Sequence, residues 1–515
     1  MLSLQLRLFL LLSALFLLFT SREPPWADSH VVYDTTQALV TQGKLSVTLD
    51  GHPWFFAVRE GRKYGVFPLG NVLAMVPSYL LFKGLRATRL FPEQPLFALT
   101  SHFSPALLMA AACALFCGLC RRFGASARAA VRLTLLLAFG TLCLVYARSP
   151  YSEALQTLLL LWLVQRTLLA GDRFTAWNLA LLGTAAGLLF NAKLVNALVL
   201  PPCAVFVLWR AWTSSARAWK PLLLGCLAGG LAFAPFAGLA LWHNRLKTGS
   251  LWDSGYRMVH GTIFSGDLWP GVYGFLLSTG KGMFFYSPPL ILGLLGLGTA
   301  WRARRAETAL VLSVSLVVLL MNAKFRIWHA DYCWGPRHLT ALSPLLLLLA
   351  VPWLPGALQR GQVWLRRSAL AALCAAGLFA QVLGASLYWD HYLRVLITMK
   401  DQTGAAGWFH ESLSHGHYIP QFSPLRGHLW LLSHLVRKDP ALERDVPWTL
   451  IVPEPVRLQE AWARLRLDFW ALDWDSHKGP RNGIAMLLGL IAVLNGRSVR
   501  RRARAEDDKT AAATG

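Results

Sequence analysis

Apolar runs of bilayer length recur along almost the whole chain, and no other feature limits so sharply what it can fold into. "LFALTSHFSPALLMAAACALFCGLC" (96–120) and "LLLGCLAGGLAFAPFAGLALW" (222–242) are two of them. A bilayer core of roughly 30 Å takes about 20 apolar residues as a helix, because lipid leaves each backbone N–H and C=O to find its partner within the segment. Spans are expected near 5–20, 97–120, 129–147, 152–170, 176–193, 196–210, 221–242, 284–300, 308–322, 338–354, 368–388 and 482–496, about 12 in all. Composition agrees. Of 515 residues 55% are hydrophobic and 15% charged, with a mean hydropathy of +0.44, which excludes an ordinary soluble chain. The fold class expected is an all-α polytopic membrane protein. No small-x-small cleavage site precedes Arg22, so the first run is expected to stay as an anchor.

A formal charge of +24 could point to nucleic acid, but the basic residues stand in short clusters beside apolar runs, where membrane orientation puts them. Nucleic acid is therefore not expected as a partner; membrane lipids are. The clusters are Arg121, Arg122 and Arg128; Arg173; Arg210, Arg217 and Lys220; Arg302, Arg304 and Arg305; Arg360, Arg366 and Arg367; and Arg497, Arg500, Arg501, Arg502 and Arg504. All fall on one side, the cytoplasmic one, if 68–90 does not cross. Its Pro68, Gly70 and Pro77 and its basic end (Lys83, Arg86, Arg89) suit an interfacial helix. The outer loops are then 21–96, the turn at Arg148–Glu153, 243–283, 323–337 and 389–481. This divides the chain into a membrane module (1–388), an outer cap (389–481), and a last span with a basic tail (482–515). Seven of the eight Cys lie in or beside apolar runs. Cys113, Cys117 and Cys120 share a helical face with no His, Asp or Glu, which reads as packing rather than a metal site.

Ionisable residues at membrane depth are costly and mark function by default. Here they gather at the outer ends of the runs: Asp28, His30 and Asp34; Glu153 in "RSPYSEA"; Lys193 in "FNAKLVN"; Asp253 and Tyr256; Lys281; and Asp331, Arg337 and His338 in "FRIWHADYCWGPRH". Each has a plainer role open to it. Asp28 would cap a helix over 29–42 that Gly43 ends, and Glu153 would favour the helix dipole. Lys193, Lys281 and Arg337 could snorkel. Asp34 points roughly 240° around the helix from Asp28, so the two form no automatic dyad. As a set, cations beside an outer carboxylate suit group transfer from a lipid phosphate: the cations hold phosphate and the carboxylate takes a proton.

The order of elements resembles the C-type glycosyltransferases, near the protein O-mannosyltransferases and lipid A aminoarabinose transferases. "WADSHVVYDTTQALVTQGKL" is similar to their acidic first outer loop, "KYGVFPLGNVLAMVPSYLL" to their Tyr-x-x-x-Pro-x-Gly segment and "YARSPYSEALQTLLLL" to their outer turn with Glu. "GKGMFFYSPPLIL" and "WHADYCWGPRHLTALSP" resemble two later motifs, so the resemblance spans roughly 5–355. Three positions depart from the pattern: Asp28-Ser29 for Asp-Glu, Pro68-Leu69 for Pro-Pro, and His338 for Tyr after the Arg. The resemblance implies a C-type bundle with interfacial helices in the first outer loop. It also implies a polyprenyl-phosphate-linked sugar as donor, an exoplasmic glycan, lipid or protein as acceptor, and inversion at the anomeric carbon. It puts Asp28, Asp34 and Glu153 in catalysis, with Asp28 as general base. Lys193, Lys281 and Arg337 would hold the donor phosphate, with His30, Tyr64, Tyr256, Trp328 and His338 about the substrate. No cofactor is implied. No ligand cluster accompanies Asp28, though a divalent metal stays open. A bacterial inner membrane with a periplasmic site is the implied location. A lipid transporter or flippase and a noncatalytic envelope-assembly protein are the alternatives. A transporter would show inverted repeats with midplane charges, and an assembly protein would tolerate Asp28→Asn.

Overall fold

The computed structural model describes residues 3–23, 28–48, 55–87, 96–214, 219–256, 261, 263–330, 333–357, 363–393, 395–396, 414–442, 462, 465–472 and 479–514. Asp331 and Arg89 lie outside them. The chain is an all-α, multi-pass membrane protein. Seven described helices are long and apolar enough to cross a bilayer: Leu96–Arg122, Glu153–Asp172, Leu194–Thr213, Lys220–Thr248, Arg305–Ala323, Arg367–Ser386 and Asn482–Ala512. Three shorter apolar helices, Leu4–Leu18, Ala176–Ala192 and Leu268–Leu277, accompany them.

Packing follows side-chain size. Lipid tails are as apolar as Leu, so helices in a membrane associate through close approach of small residues. Helix Leu4–Leu18 lies against Leu96–Arg122 and Gly479–Thr514, and Cys113, Cys117 and Cys120 are buried in that core. Helices Ala176–Ala192 and Trp219–Thr248 meet so closely that a Cβ on Gly183 would overlap the Gly229 carbonyl. The opposite faces of Trp219–Thr248 and Gly479–Thr514 expose Leu223, Leu227, Leu231, Met486, Leu490 and Leu494. Such stripes are tolerable only against lipid or a partner.

Residues of several basic clusters meet at one end of the bundle. Arg122 and Arg210 pair with Asp172, Arg121 with Glu506, and Arg128 with Asp507. Helix Glu153–Asp172 runs from that end to the other, which places Glu153 opposite the clusters.

Several boundaries differ from the sequence expectation. The described residues do not yield a clean set of 12 spans. The run 129–147 is broken into Ala127–Gly140 and Cys143–Ala147, because Thr141 turns extended and bonds its hydroxyl back to Leu137 while Ser287 accepts from Leu142 N–H. The run 338–354 is no continuous span: only Leu342–Leu348 is an α-helix there, its Leu345, Leu347 and Leu348 walled in by protein. Helix Trp219–Thr248 continues past 242, and the loop 243–283 contains the apolar helix Leu268–Leu277. The tail is helical to Thr514. Between helices Leu4–Leu18 and Leu96–Arg122 stand helix Leu69–Ala87 and a small antiparallel sheet, Ser46–Val47, Arg62–Gly65 and Phe56–Arg59 side by side. Leu387, Tyr392, Leu393, Phe422, Trp430, Leu431 and Leu465 belong to a separate small core.

Candidate active site

Asp28 lies in the first turn of helix Asp28–Gln42, and Gly43 at φ 64 ends that helix. Glu153 opens helix Glu153–Asp172. Arg337 stands in the 3-10 turn Arg337–Leu339, outside the apolar helix that follows. Gly335 aims this turn. Its φ is +57, and a Cβ there would come within 2.8 Å of the Tyr286 ring, so only glycine fits.

The three side chains converge. Arg337 Nε donates to Glu153 Oε1 and Nη2 donates to Asp28 Oδ2, each at 2.8 Å. The guanidinium carbon sits 3.7 Å from the centroid of the Tyr151 ring, within cation–π range. Side-chain exposures are 12% for Arg337, 4% for Glu153 and 25% for Asp28, so solvent screens the Glu153 pair least. Burial by itself would lower the guanidinium's proton affinity, but Glu153 and Asp28 more than offset it and raise the pKa well above its ordinary value. Tyr256 lies close enough to feel Asp28, Arg337 and Glu153; burial first, then Asp28, pushes its hydroxyl up. Lys193, between helix Ala176–Ala192 and the turn Leu194–Val199, couples by charge to Glu153, Arg337 and Asp28. A Cβ on Gly70 would reach 2.5 Å from Asn191 O, so glycine lets helix Leu69–Ala87 dock beside Lys193. His338 Nδ1 is 4.0 Å from Glu153 Oε1. Burial, then Lys193, Arg337 and Lys281, holds that imidazole well below its ordinary pKa and therefore neutral.

The other sequence candidates are placed as follows. Lys281 is buried and its Nζ donates to Cys333 O at 3.0 Å and approaches Cys333 Sγ at 3.2 Å, bracing the strand of chain that leads to Arg337. Trp328 packs edge-on to Phe275, beside His329 and His417. His30 stacks on Phe97 at 4.5 Å. Asp34 sits beside Tyr33; burial, then Tyr79, then Asp34 push that phenol up to about 12. Tyr64 is a buried strand residue registered with Ser46 and Ala57. Asp253 accepts from Gly255 N–H at 2.9 Å in a local turn.

Three residues escaped sequence reasoning. Tyr151, the ring under Arg337, stood in a quoted motif, yet nothing in its spacing marked it. Lys247 is buried, with Nζ donating to Val66 O at 3.1 Å and Ser254 O at 2.8 Å, which ties the segment before helix Leu69–Ala87 to the one after helix Trp219–Thr248. Asp468 pairs with Arg148 at 2.6 Å, with side chains 3% and 4% exposed. Asp468 also accepts from Ser21 Oγ and from the N–H groups of Arg22 and Glu23, while His102 bridges Arg148 O and Glu23 O. This knot joins the chain leaving the first helix to the turn that carries Glu153. Among the described residues no group of three or more His, Cys, Asp or Glu is placed to hold a metal.

The fold and site thus define a helical membrane protein with a buried, charge-paired cluster at one end. No family model matches the chain, and no curated protein does either. Among solved structures it is similar to ArnT from Cupriavidus metallidurans bound to undecaprenyl phosphate, at 15% identity and a TM-score of 0.49, over 97% of this chain and 77% of that one. The apo ArnT structure gives 14% identity and 0.43, over 87% and 83%. The archaeal oligosaccharyltransferase AglB from Archaeoglobus fulgidus, solved with an inhibitory peptide and a dolichol-phosphate, gives 13% and 0.43, over 79% of this chain and 59% of that one. At such scores these likenesses carry no argument.

Proposed function

We propose that the chain is a membrane glycosyltransferase that moves a sugar from a polyprenyl phosphate to an acceptor hydroxyl, with inversion. The observation that carries this is the convergence of Asp28 and Glu153 on the Arg337 guanidinium, with Lys193 and Tyr256 beside them, at the bundle end opposite the basic clusters. Arg337 and Lys193 hold the donor phosphate, the guanidinium by its fork and the ammonium as a point charge. Phosphate competes with Asp28 for Nη2, so donor binding frees Asp28 at the moment a base is needed. Asp28 then takes the acceptor's proton while the acceptor oxygen bonds to the anomeric carbon. The bond from that carbon to the phosphate oxygen breaks, and its electron pair leaves with the polyprenyl phosphate, whose charge the two cations stabilise. Glu153 keeps Arg337 oriented throughout. Lys281 acts at one remove, through the Cys333 backbone, and Asp34 takes no part in these steps. With the basic clusters in the cytoplasm, the site faces the periplasm of a bacterial inner membrane.

The test is Asp28→Asn, purified in detergent beside wild type and offered a panel of polyprenyl-phosphate sugars with an envelope acceptor fraction. Wild type should consume one donor and make a glycoconjugate, and the variant should be slower by about 10²-fold or more. Equal rates would remove Asp28 as base. Wild type reconstituted in vesicles that moves labelled lipid across the bilayer without product would replace transfer by transport.

A further inference from the structure

Glu153 spends only one of its oxygens on Arg337. Its Oε2 is buried and has no hydrogen-bond partner among the described residues, and it is the one carboxylate oxygen so placed among them. His338 Nδ1 is buried without a partner as well, and it stands 4.0 Å from Glu153 Oε1, too far for a direct bond. Native proteins pair nearly all such buried atoms, so a neighbouring orphaned pair in a candidate site asks what completes it. Both side chains are held in place. Glu153 is fixed by Arg337 and by the first turn of its helix, and His338 by the turn that also carries Arg337, with the Phe325 ring edge-on at 5.9 Å.

The chemistry of the gap is specific. An ionised carboxylate oxygen only accepts. A neutral imidazole nitrogen donates in one tautomer and accepts in the other. A hydroxyl is the small group that serves both atoms at once, donating to Oε2 and accepting from Nδ1–H. An ammonium gives protons but accepts none, and a hydrogen or methyl leaves both atoms unpaired. The two atoms adjoin Arg337, where the donor phosphate is held in the reaction proposed above, so a ligand group that pairs them belongs to the sugar ring next to that phosphate.

We propose that Glu153 Oε2 and His338 Nδ1 together clamp one hydroxyl of the donor sugar, and that this clamp sets the donor's ring specificity. The proposal rests on the glycosyl-transfer reading. A site built to bond a hydroxyl rejects the analogue that lacks it far more strongly than an apolar pocket rejects an extra group, because its own polar atoms are then stranded.

The experiment compares the donor that wild type consumes with its set of monodeoxy analogues, reading kcat/KM for each. One deoxy position should cost wild type about 10²-fold or more. His338→Phe keeps the ring volume and removes the nitrogen; it should lower transfer from the parent donor and shrink that one ratio to within about 3-fold. His338→Asn, which returns a polar atom near the place of Nδ1, should restore part of the ratio. A purely structural His338 would change overall activity and leave the ratio alone. Wild type that transfers sugar yet treats every deoxy donor like the parent overturns the clamp only, leaving a water as the bridge. The same holds if His338→Phe retains the full ratio. A chain that consumes no polyprenyl-phosphate sugar overturns the clamp together with the function it rests on.

Discussion

Arg337 is one cation serving two anions, and its value lies in shape as much as charge. The guanidinium plane offers Nε to Glu153 and Nη2 to Asp28 while its face rests on Tyr151. Lys has the same charge but no planar fork and no flat face, so it cannot hold both carboxylates in this geometry while stacking on Tyr151. Arg337→Lys should therefore stay folded but lose about 10²-fold or more in transfer, read as kcat/KM with the donor found for wild type. Retention of activity within a few-fold would mean that charge alone suffices there. Tyr151→Phe keeps the ring under Arg337 and separates stacking from any role of the phenol.

At the scale of elements, Asp468 fastens the segment 465–472 to the chain leaving the first helix and to the turn that carries Glu153. Arg148 donates to Asp468 and also to the Ala385 carbonyl, so one buried arginine gathers three separated segments. Removing one partner of a buried pair leaves an uncompensated charge, at a cost of about 3–5 kcal/mol. Asp468→Asn should lower the melting temperature of the detergent-purified protein by several degrees. Exchanging both residues for an apolar pair should recover much of the loss, and an unchanged melt in the single variant would show the knot to be dispensable. His428 adds a pH dependence to the same unit. It is buried on helix Pro424–Arg437 against the Trp334 ring, with Nδ1 facing the Leu383 carbonyl and His391 nearby. Burial first, opposed by the Leu383 hydrogen bond and aided by His391, pushes its pKa from 6.5 down to about 3. The unfolded chain then binds a proton that the folded chain refuses. Stability is complete above about pH 6.5 and is lost progressively as pH falls toward 3. The melting temperature should drop between pH 7 and pH 5, and His428→Phe should flatten that drop.

For the whole molecule, much of the architecture was legible because a bilayer leaves few choices. Runs such as 97–120, 152–170 and 308–322 return as helices Leu96–Arg122, Glu153–Asp172 and Arg305–Ala323, since a backbone in lipid must satisfy itself locally. Where protein rather than lipid surrounds the chain that constraint lapses. The run 338–354 accordingly folds as turns around a short buried helix, and residues 46–65 pair into a sheet that no periodicity announced. The candidate site divides in the same way. Ionisable residues at the run ends were visible from desolvation cost alone, and so was the split between Asp28 and Asp34, which follows from helical pitch. Their partners were not visible. Asp28 and Arg337 are 309 positions apart, and Arg148 and Asp468 are 320. Apolar periodicity and charge placement are short-range properties, so the sequence by itself determined a helical, multi-pass chain with its ionisable groups collected at helix ends. Which groups meet was decided only by tertiary packing. Gly335, Gly70 and the Asp468 knot set the approach of segments hundreds of residues apart, and small changes in approach decide whether a carboxylate finds a guanidinium or is left with an oxygen to offer a ligand.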